Sequence, residues 1–145
     1  MRAIVTSELD DHVSLAVVRS LGKNKINFTV VSKFERALAL NSRYCKDFNI
    51  TNVDMNFLSK LSKDDILFPM HEESMCQISK NQKKLPCTLA FPDYPTLQIV
   101  TNKCRLLHHA IEHNLPCPKT WFIAHPDDIE DLPAGLQFPV VLRPT

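Results

Sequence analysis

Short apolar runs alternate along this chain with stretches whose apolar residues recur at helical spacing. The first run is Ala3–Val5, a helical stripe follows from Val13 to Leu21, and Ile26–Val31 is a second run rich in β-branched residues. Apolar runs without polar alternation are typical of strands that are buried on both faces of a sheet. Because strands alternate with helices, the pattern predicts right-handed βαβ units and a mostly parallel sheet.

The same alternation continues along the rest of the chain. It predicts a three-layer, Rossmann-like α/β domain whose mostly parallel sheet has about five strands. Gly22 follows the first helical stripe, where a C-cap glycine is expected. The remaining predicted elements are strands at Phe48–Ile50, Ile66–Met70, Cys87–Phe91 and Val140–Leu142, an extended segment at Thr120–Ala124, and helices at Glu35–Leu40, Met55–Leu61, Glu72–Leu85, Asn102–Asn114 and Asp127–Asp131.

Composition narrows the class of protein and its partners. The 145 residues are 44% hydrophobic and 23% charged, as in ordinary globular domains, and the net charge of +1 argues against a nucleic-acid partner. No apolar run approaches the ~18 residues of a membrane span, and the N-terminus lacks the pattern of a signal peptide. The five cysteines form no C-x-x-C pair. We therefore expect reduced thiols in the cytoplasm and no membrane partner.

The loop after the first strand, Thr6–His12, contains no glycine. The chain has only two glycines, so the glycine-rich turn that binds a dinucleotide or a nucleotide phosphate is absent here. The favoured interpretation of Asp10 and Asp11 is that one of them caps the following helix. The alternative is that the acidic side chains of this loop contact an amine or a metal.

The pair Asp10–Asp11 also raises a two-component receiver domain as an alternative. That family has an acidic pair after its first strand and a phosphoryl-accepting aspartate at the end of its third. The third predicted strand here is followed by Thr51 and Asn52 instead. The receiver hypothesis therefore lacks its central residue.

Two histidine-containing segments could be either metal or acid–base sites or ordinary polar parts of helices. In His71–Glu73, adjacent helical residues diverge by about 100°, so acidic enrichment at a helix start is favoured over a metal or acid–base site. His109 and His113 are four residues apart with Glu112 between them, beside His108. A solvated polar face is favoured there too. The sequence thus assigns no catalytic residue and no metal ligand.

The segment from Thr101 onward resembles the beginning of the ATP-grasp enzymes, among them the large subunit of carbamoyl phosphate synthase. That family has an Asp-Lys pair that opens an amphipathic helix, then an L/I-P-x-P turn, a strand, and an F/Y-P-V-V/I-x-K/R-P strand. This chain has NKCRLLHHAIEHNLPCPKTWFIA followed by LQFPVVLRPT. The earlier stretches ALALNSRYCKDF and LFPMHEESM are similar to the pre-ATP-grasp domain of the same enzymes.

The resemblance implies roles for two basic residues. Lys103 matches the lysine of the Asp-Lys pair and Arg143 matches the Lys/Arg of the last strand, and both imply contacts to nucleotide phosphate. A fixed cation neutralises phosphate charge, and arginine can do so through two hydrogen bonds. Asn102 stands where the family has aspartate, which puts the cap of the helix in question.

The resemblance also implies an activity and a domain organisation. The pre-ATP-grasp domain would span residues 1–115, and residues 116–145 would form a connector and the first strand of an ATP-grasp domain. The parent protein would be a carboxylate-amine ligase that uses ATP and Mg²⁺ to form an acyl phosphate from a small carboxylate, which an amine then attacks. Because the family's glycine-rich lid and Mg²⁺ ligands follow the Arg143 strand, we expect this chain to be an inactive N-terminal fragment. The alternative is a complete, non-enzymatic α/β interaction or sensor domain.

Overall fold

The first apolar run of the chain forms the central strand of a parallel sheet. A computed structural model describes residues 1–130, 132 and 136–143. In it, β1 (Arg2–Thr6) pairs on one side with β2 (Phe28–Ser32), which in turn pairs with β3 (Phe48–Ile50). On its other side β1 pairs with β4 (Asp65–Phe68), and β4 pairs with β5 (Thr88–Leu89).

All four pairings are parallel and the strand order is β3-β2-β1-β4-β5. This confirms the predicted α/β class with a parallel sheet of five strands. The order is that of the first five strands of the Rossmann fold, whereas receiver domains have the flavodoxin-like order. The topology therefore adds a second argument against the receiver hypothesis.

In the described part of the chain, five helices and three 3₁₀ turns connect and follow these strands. Within the residues that the structure describes, no helix has both the length and the apolar character needed to cross a bilayer. The helices are α1 (His12–Lys23), α2 (Met55–Leu58), α3 (Glu72–Lys80), α4 (Tyr94–Val100) and α5 (Lys103–Glu112), and the 3₁₀ turns are Leu38–Asn41, Gln82–Lys84 and Pro126–Ile129.

The sheet has a hydrophobic cluster on each face, because neighbouring residues of a strand point to opposite sides. On one face Val5 and Val30 pack with Val18 of α1. On the other face Ile4, Val31 and Leu67 of the sheet pack with Leu58 of α2 and Ile78 of α3. The three layers that the sequence predicts are therefore present.

Gly22 does not cap α1 as the sequence predicts. It lies in the last turn of the helix, and the C-cap is Asn24. A Cβ added at Gly22 would collide with Cβ and Cγ of Tyr44 and would lie 2.7 Å from its Cδ1. A glycine is needed here because the Tyr44 side chain packs directly on the helix backbone, not because the backbone turns to a positive φ.

The C-terminal segment departs most from the predicted elements. Neither Thr120–Ala124 nor Val140–Leu142 lies in a strand. Val141 and Leu142 are 78% and 84% exposed. Among the described residues no strand pairs with them, and β-propensity depends on such packing. The predicted helix at Asp127–Asp131 is the 3₁₀ turn Pro126–Ile129, and Asp131 itself, like Pro144 of the R-P pair, lies outside the described residues.

Internal contacts divide the chain into two compact units. The first unit is Met1–Tyr94 and contains the whole sheet, and the second unit begins at Pro95 and contains α5. The domain boundary predicted after residue 115 stays a prediction.

Candidate functional site

A crevice of about 500 Å³ opens at the carboxyl ends of the strands in the first unit. In an open parallel sheet, ligands bind at this edge, where the strand order reverses and the helices leave on opposite faces. Here the reversal lies between β1 and β4. The residues lining the crevice come from the loops after β1, β2, β3 and β4 and from the first turns of α3: Thr6–Asp10, Ser32–Phe34, Asn52–Asp54, His71, Glu73, Ser74 and Gln77.

Buried polar side chains fix the floor of this crevice. Oγ1 of Thr6, at the end of β1, accepts a hydrogen bond of 3.0 Å from the backbone N–H of Met70, just beyond β4. The hydroxyls of Ser7 and Ser14 are 2.7 Å apart and buried, which ties the loop after β1 to the first turn of α1. Serine and threonine suit these positions because their short hydroxyl side chains form hydrogen bonds with nearby backbone groups and with one another.

Asp11 and Asp54 cap the helices that follow this edge. Oδ1 of Asp11 accepts hydrogen bonds from the backbone N–H groups of Val13 and Ser14 at 2.9 and 3.0 Å. Oδ1 of Asp54 accepts one from Phe57 at 2.8 Å. The predicted cap at the start of α1 is therefore confirmed, and Asp11 supplies it. Asp10 is exposed beside it and lines the crevice.

Acidic groups outnumber basic groups around the crevice. Glu8, Asp10, Asp54 and Glu73 line it together with a single lysine, Lys33. Nζ of Lys33 lies 3.6 Å from the carboxylate of Glu8. His71 precedes α3, whose first turn contains Glu72 and Glu73, as the sequence predicts. This charge balance disfavours a phosphate ligand and favours a ligand with a cationic or neutral polar group.

A smaller cavity, of about 240 Å³, lies between the sheet and α2. Arg2 lines it and pairs with buried Asp65 through Nε–Oδ1 and Nη2–Oδ2 contacts of 3.1 and 3.0 Å. The hydrogen bond from Arg2, helped by one from the backbone N–H of Ser62, lowers the pKa of the Asp65 carboxyl. Both oxygens of the Asp65 carboxylate accept hydrogen bonds within the protein. We therefore interpret the Arg2–Asp65 pair as structural.

No cysteine lines either of these two cavities. All five are free thiols. Burial raises the pKa of the Cys45 and Cys87 thiols, and the nearby Asp47 adds to the effect at Cys45. A nucleophilic cysteine needs the opposite shift.

The two phosphate-binding residues implied by the resemblance lie in the second unit. Lys103 is the first residue of α5, and Oδ1 of Asn102 accepts a hydrogen bond of 2.9 Å from the backbone N–H of Arg105. Asparagine therefore provides the cap that the family's aspartate would provide. Lys103 and Arg143 are both exposed, and within the described part of the chain neither forms an ion pair.

The helix α5 also brings three metal-ligating side chains together. One ligand atom each from His109, Glu112 and His113 lie within 4.8 Å of one another, and no other such group occurs among the described residues. His108 instead stacks on Phe122, with ring centroids 3.7 Å apart. The spacing of these residues is visible in the sequence, which on its own favours a solvated polar face.

Comparison of the sequence with known protein families found no match, and comparison with curated proteins found none either.

Proposed function

We propose that this chain is the N-terminal part of an ATP-dependent carboxylate-amine ligase of the ATP-grasp type. The observation that carries the proposal is a parallel Rossmann-like sheet followed by α5 with its N-K start, by L-P-C-P, and by F-P-V-V-L-R-P in that order. Each short motif alone is weak, and the support comes from their order behind this fold. The proposal places the protein in the cytoplasm, in keeping with five free thiols.

In this proposal Lys103 binds nucleotide phosphate at the start of α5. The first N–H groups of a helix and its dipole favour an anion, and the ammonium of Lys103 adds a full charge. Arg143 would make a second phosphate contact, with Mg²⁺ offsetting the charge of the transferring group. The Mg²⁺ ligands would come from other parts of the ligase.

The crevice at the strand ends would form part of the wall that faces the carboxylate and amine substrates. Its acidic balance fits an amine better than it fits ATP, which the proposal assigns to Lys103 and Arg143 instead. The exposed apolar residues of the second unit also support the proposal. α5 has no buried residue, and an amphipathic helix of this kind ordinarily packs its apolar face against other polypeptide.

Calorimetry with MgATP tests the proposal in two steps. The 145-residue chain should bind MgATP weakly or not at all, and micromolar affinity would contradict its description as an inactive fragment. The protein from the full reading frame should bind MgATP and release ADP only when a carboxylate is present. Hydroxylamine should then trap the acyl phosphate as a hydroxamate. A full-length protein that neither binds nor cleaves ATP would instead support the interaction or sensor domain.

Variants in the full-length protein test the role of Lys103. Lys103→Ala should weaken MgATP binding by about tenfold to 100-fold, because a hydrogen bond to a charged group contributes roughly 1.5–3 kcal/mol. Arg105→Ala is the matched control, since it removes an exposed positive charge from the same helix two residues away. Equal losses in the two variants would show a general charge effect and not a phosphate contact.

A further inference from the structure

The last turns of α5 carry three potential metal ligands on one face. Residues three and four positions apart are neighbours on a helix surface, so His109, Glu112 and His113 converge. Their ligand atoms lie within 4.8 Å of one another, and the rings of His109 and His113 have centroids 4.3 Å apart at 54°. His109 is half-buried, whereas Glu112 and His113 are exposed. The group is therefore accessible from solvent through Glu112 and His113, while His109 is partly enclosed by protein.

The neighbouring histidine is separate from this group. His108 stacks on Phe122 with an interplanar angle of 14° and is not a member of the ligand set. Three of the four polar side chains at this end of the helix thus converge, and the fourth has another partner. The arrangement differs from a generally polar helix face, on which side chains spread into water.

We propose that His109, Glu112 and His113 bind one divalent transition-metal ion, with Zn²⁺ as the expected ion. Two imidazoles and one carboxylate are ligands that Zn²⁺ accepts, and three protein ligands leave a fourth position for water or another ligand. Rotation of the side chains alone would bring the ligand atoms around an ion, because His109 and Glu112 lie in the last turn of α5 and His113 is its C-cap.

The position of the group at the end of the helix favours a cation. His113 is the C-cap of α5, and its backbone N–H bonds to the carbonyl of His109 at 3.1 Å. The last carbonyls of a helix carry partial negative charge, so a divalent ion here interacts favourably with them. The helix ends at this point, because Asn114 follows with a left-handed backbone at φ 52°. An ion that joins His109 to His113 would stabilise the last turn of α5 before that end. The site is independent of the proposed ligase activity.

Titration of the 145-residue chain with ZnCl₂ in a calorimeter tests the site directly. We expect one ion per chain with micromolar affinity and an increase in helical circular dichroism. His109→Ala and His113→Ala should each weaken binding by about tenfold or more, since even an indirect partner of a metal ligand contributes that much. Glu112→Gln, which keeps the shape of the side chain, should weaken binding less than either histidine variant does.

Two control variants separate this site from other zinc binding. His108→Ala removes a histidine of the same helix that is outside the ligand set, and Cys104→Ser removes the thiol of that helix. Both should bind Zn²⁺ as the unaltered chain does. Co²⁺ should give a visible spectrum without a thiolate charge-transfer band. Zinc affinity that survives in His109→Ala and His113→Ala, or that is lost in Cys104→Ser, would overturn the assignment.

Discussion

The unit that ends at Tyr94 and the unit that begins at Pro95 differ in where they place their apolar side chains. Among the described residues, every buried hydrophobic side chain except Leu97 belongs to the first unit. In the second unit, Leu106 and Ile111 of α5 are 39% and 47% exposed. Hydrophobic burial is the main favourable term in folding. The first unit therefore holds the stabilising core, whereas the second has helical structure with little burial behind it.

Truncation of one leucine in each unit should give the largest difference between the units in the free energy of unfolding. Leu67 of β4 is fully buried and Leu106 of α5 is exposed. Leu67→Ala should lower the free energy of unfolding by about 2–5 kcal/mol because it leaves a cavity. Leu106→Ala should change it by less than about 0.5 kcal/mol. Urea unfolding followed by circular dichroism measures both, and equal losses would show that the second unit has a core of its own.

Removal of one carboxylate charge in each unit should give the next largest difference in the free energy of unfolding. Asp65 is buried and bonded to Arg2 and to the N–H of Ser62, so Asp65→Asn should cost about 1–3 kcal/mol. Asp128 accepts hydrogen bonds of 2.8 Å from Ala124 and His125 within an exposed turn. We expect Asp128→Asn to cost less than about 0.5 kcal/mol.

The dependence of the Asp65 contribution on pH gives an independent check. The hydrogen bond from Arg2 lowers the folded-state pKa of Asp65, whereas an unfolded aspartate has a pKa of about 3.9. The contribution is therefore present above that value and is lost as pH falls through the lowered folded-state pKa. Unfolding free energies measured along an acid series should converge for the unaltered chain and Asp65→Asn. A difference that stays constant into acid would exclude the ion pair as its source.

Gly22→Ala tests how closely the first unit is packed. At an unconstrained helical position this change stabilises by about 0.5–1 kcal/mol. Here the new methyl group would collide with the Tyr44 side chain, so we expect a loss of about 1–3 kcal/mol. Ser20→Ala, at an exposed position of the same helix, is the control and should be nearly neutral. Stabilisation by Gly22→Ala would mean that Tyr44 moves aside freely.

Loss of a helix cap in each unit should give the smallest effect. Asp11 caps α1, which packs on the sheet, and Asn102 caps α5, which has no buried residue. Asp11→Ala should lower the free energy of global unfolding by about 1 kcal/mol. Asn102→Ala should reduce helical circular dichroism before the main transition and leave the midpoint of that transition unchanged. A shift of the midpoint by Asn102→Ala would show that α5 unfolds together with the sheet.

The fold of the first unit could be predicted from the sequence because its signals are local. The predicted run Ala3–Val5 lies within β1. Of the predicted run Ile26–Val31, residues 28–31 lie in β2, whereas Ile26 precedes the strand and is exposed. Met55 begins α2 as predicted. Parallel pairing then follows from the helical connections. The predicted elements do not include α4, whose first turn contains Pro95, a position that tolerates proline.

The site could be predicted only in part, because contacts distant in sequence complete it. The cap of α1 follows from acidic residues directly before a helical stripe, and Asp11 supplies it. The bond between Thr6 and Met70 joins residues 64 positions apart, and no sequence pattern marks it. The convergence of His109, Glu112 and His113 follows from helical spacing, but the rotamers that bring their ligand atoms together do not.

Each of the two hydrophobic clusters on opposite faces of the sheet has a half-buried thiol packed against it. Cys45 packs against the cluster of Val5 and Val18, and Cys87 packs against that of Ile4 and Leu67. Because burial raises the pKa of both thiols, opening of the surrounding layer should increase the thiolate fraction and the reaction rate of each. The alkylation rate of Cys45 therefore reports opening of the α1 layer and that of Cys87 reports opening of the opposite layer. Each face of the sheet therefore has its own thiol probe, and one labelling experiment can measure the opening rates of the two layers separately.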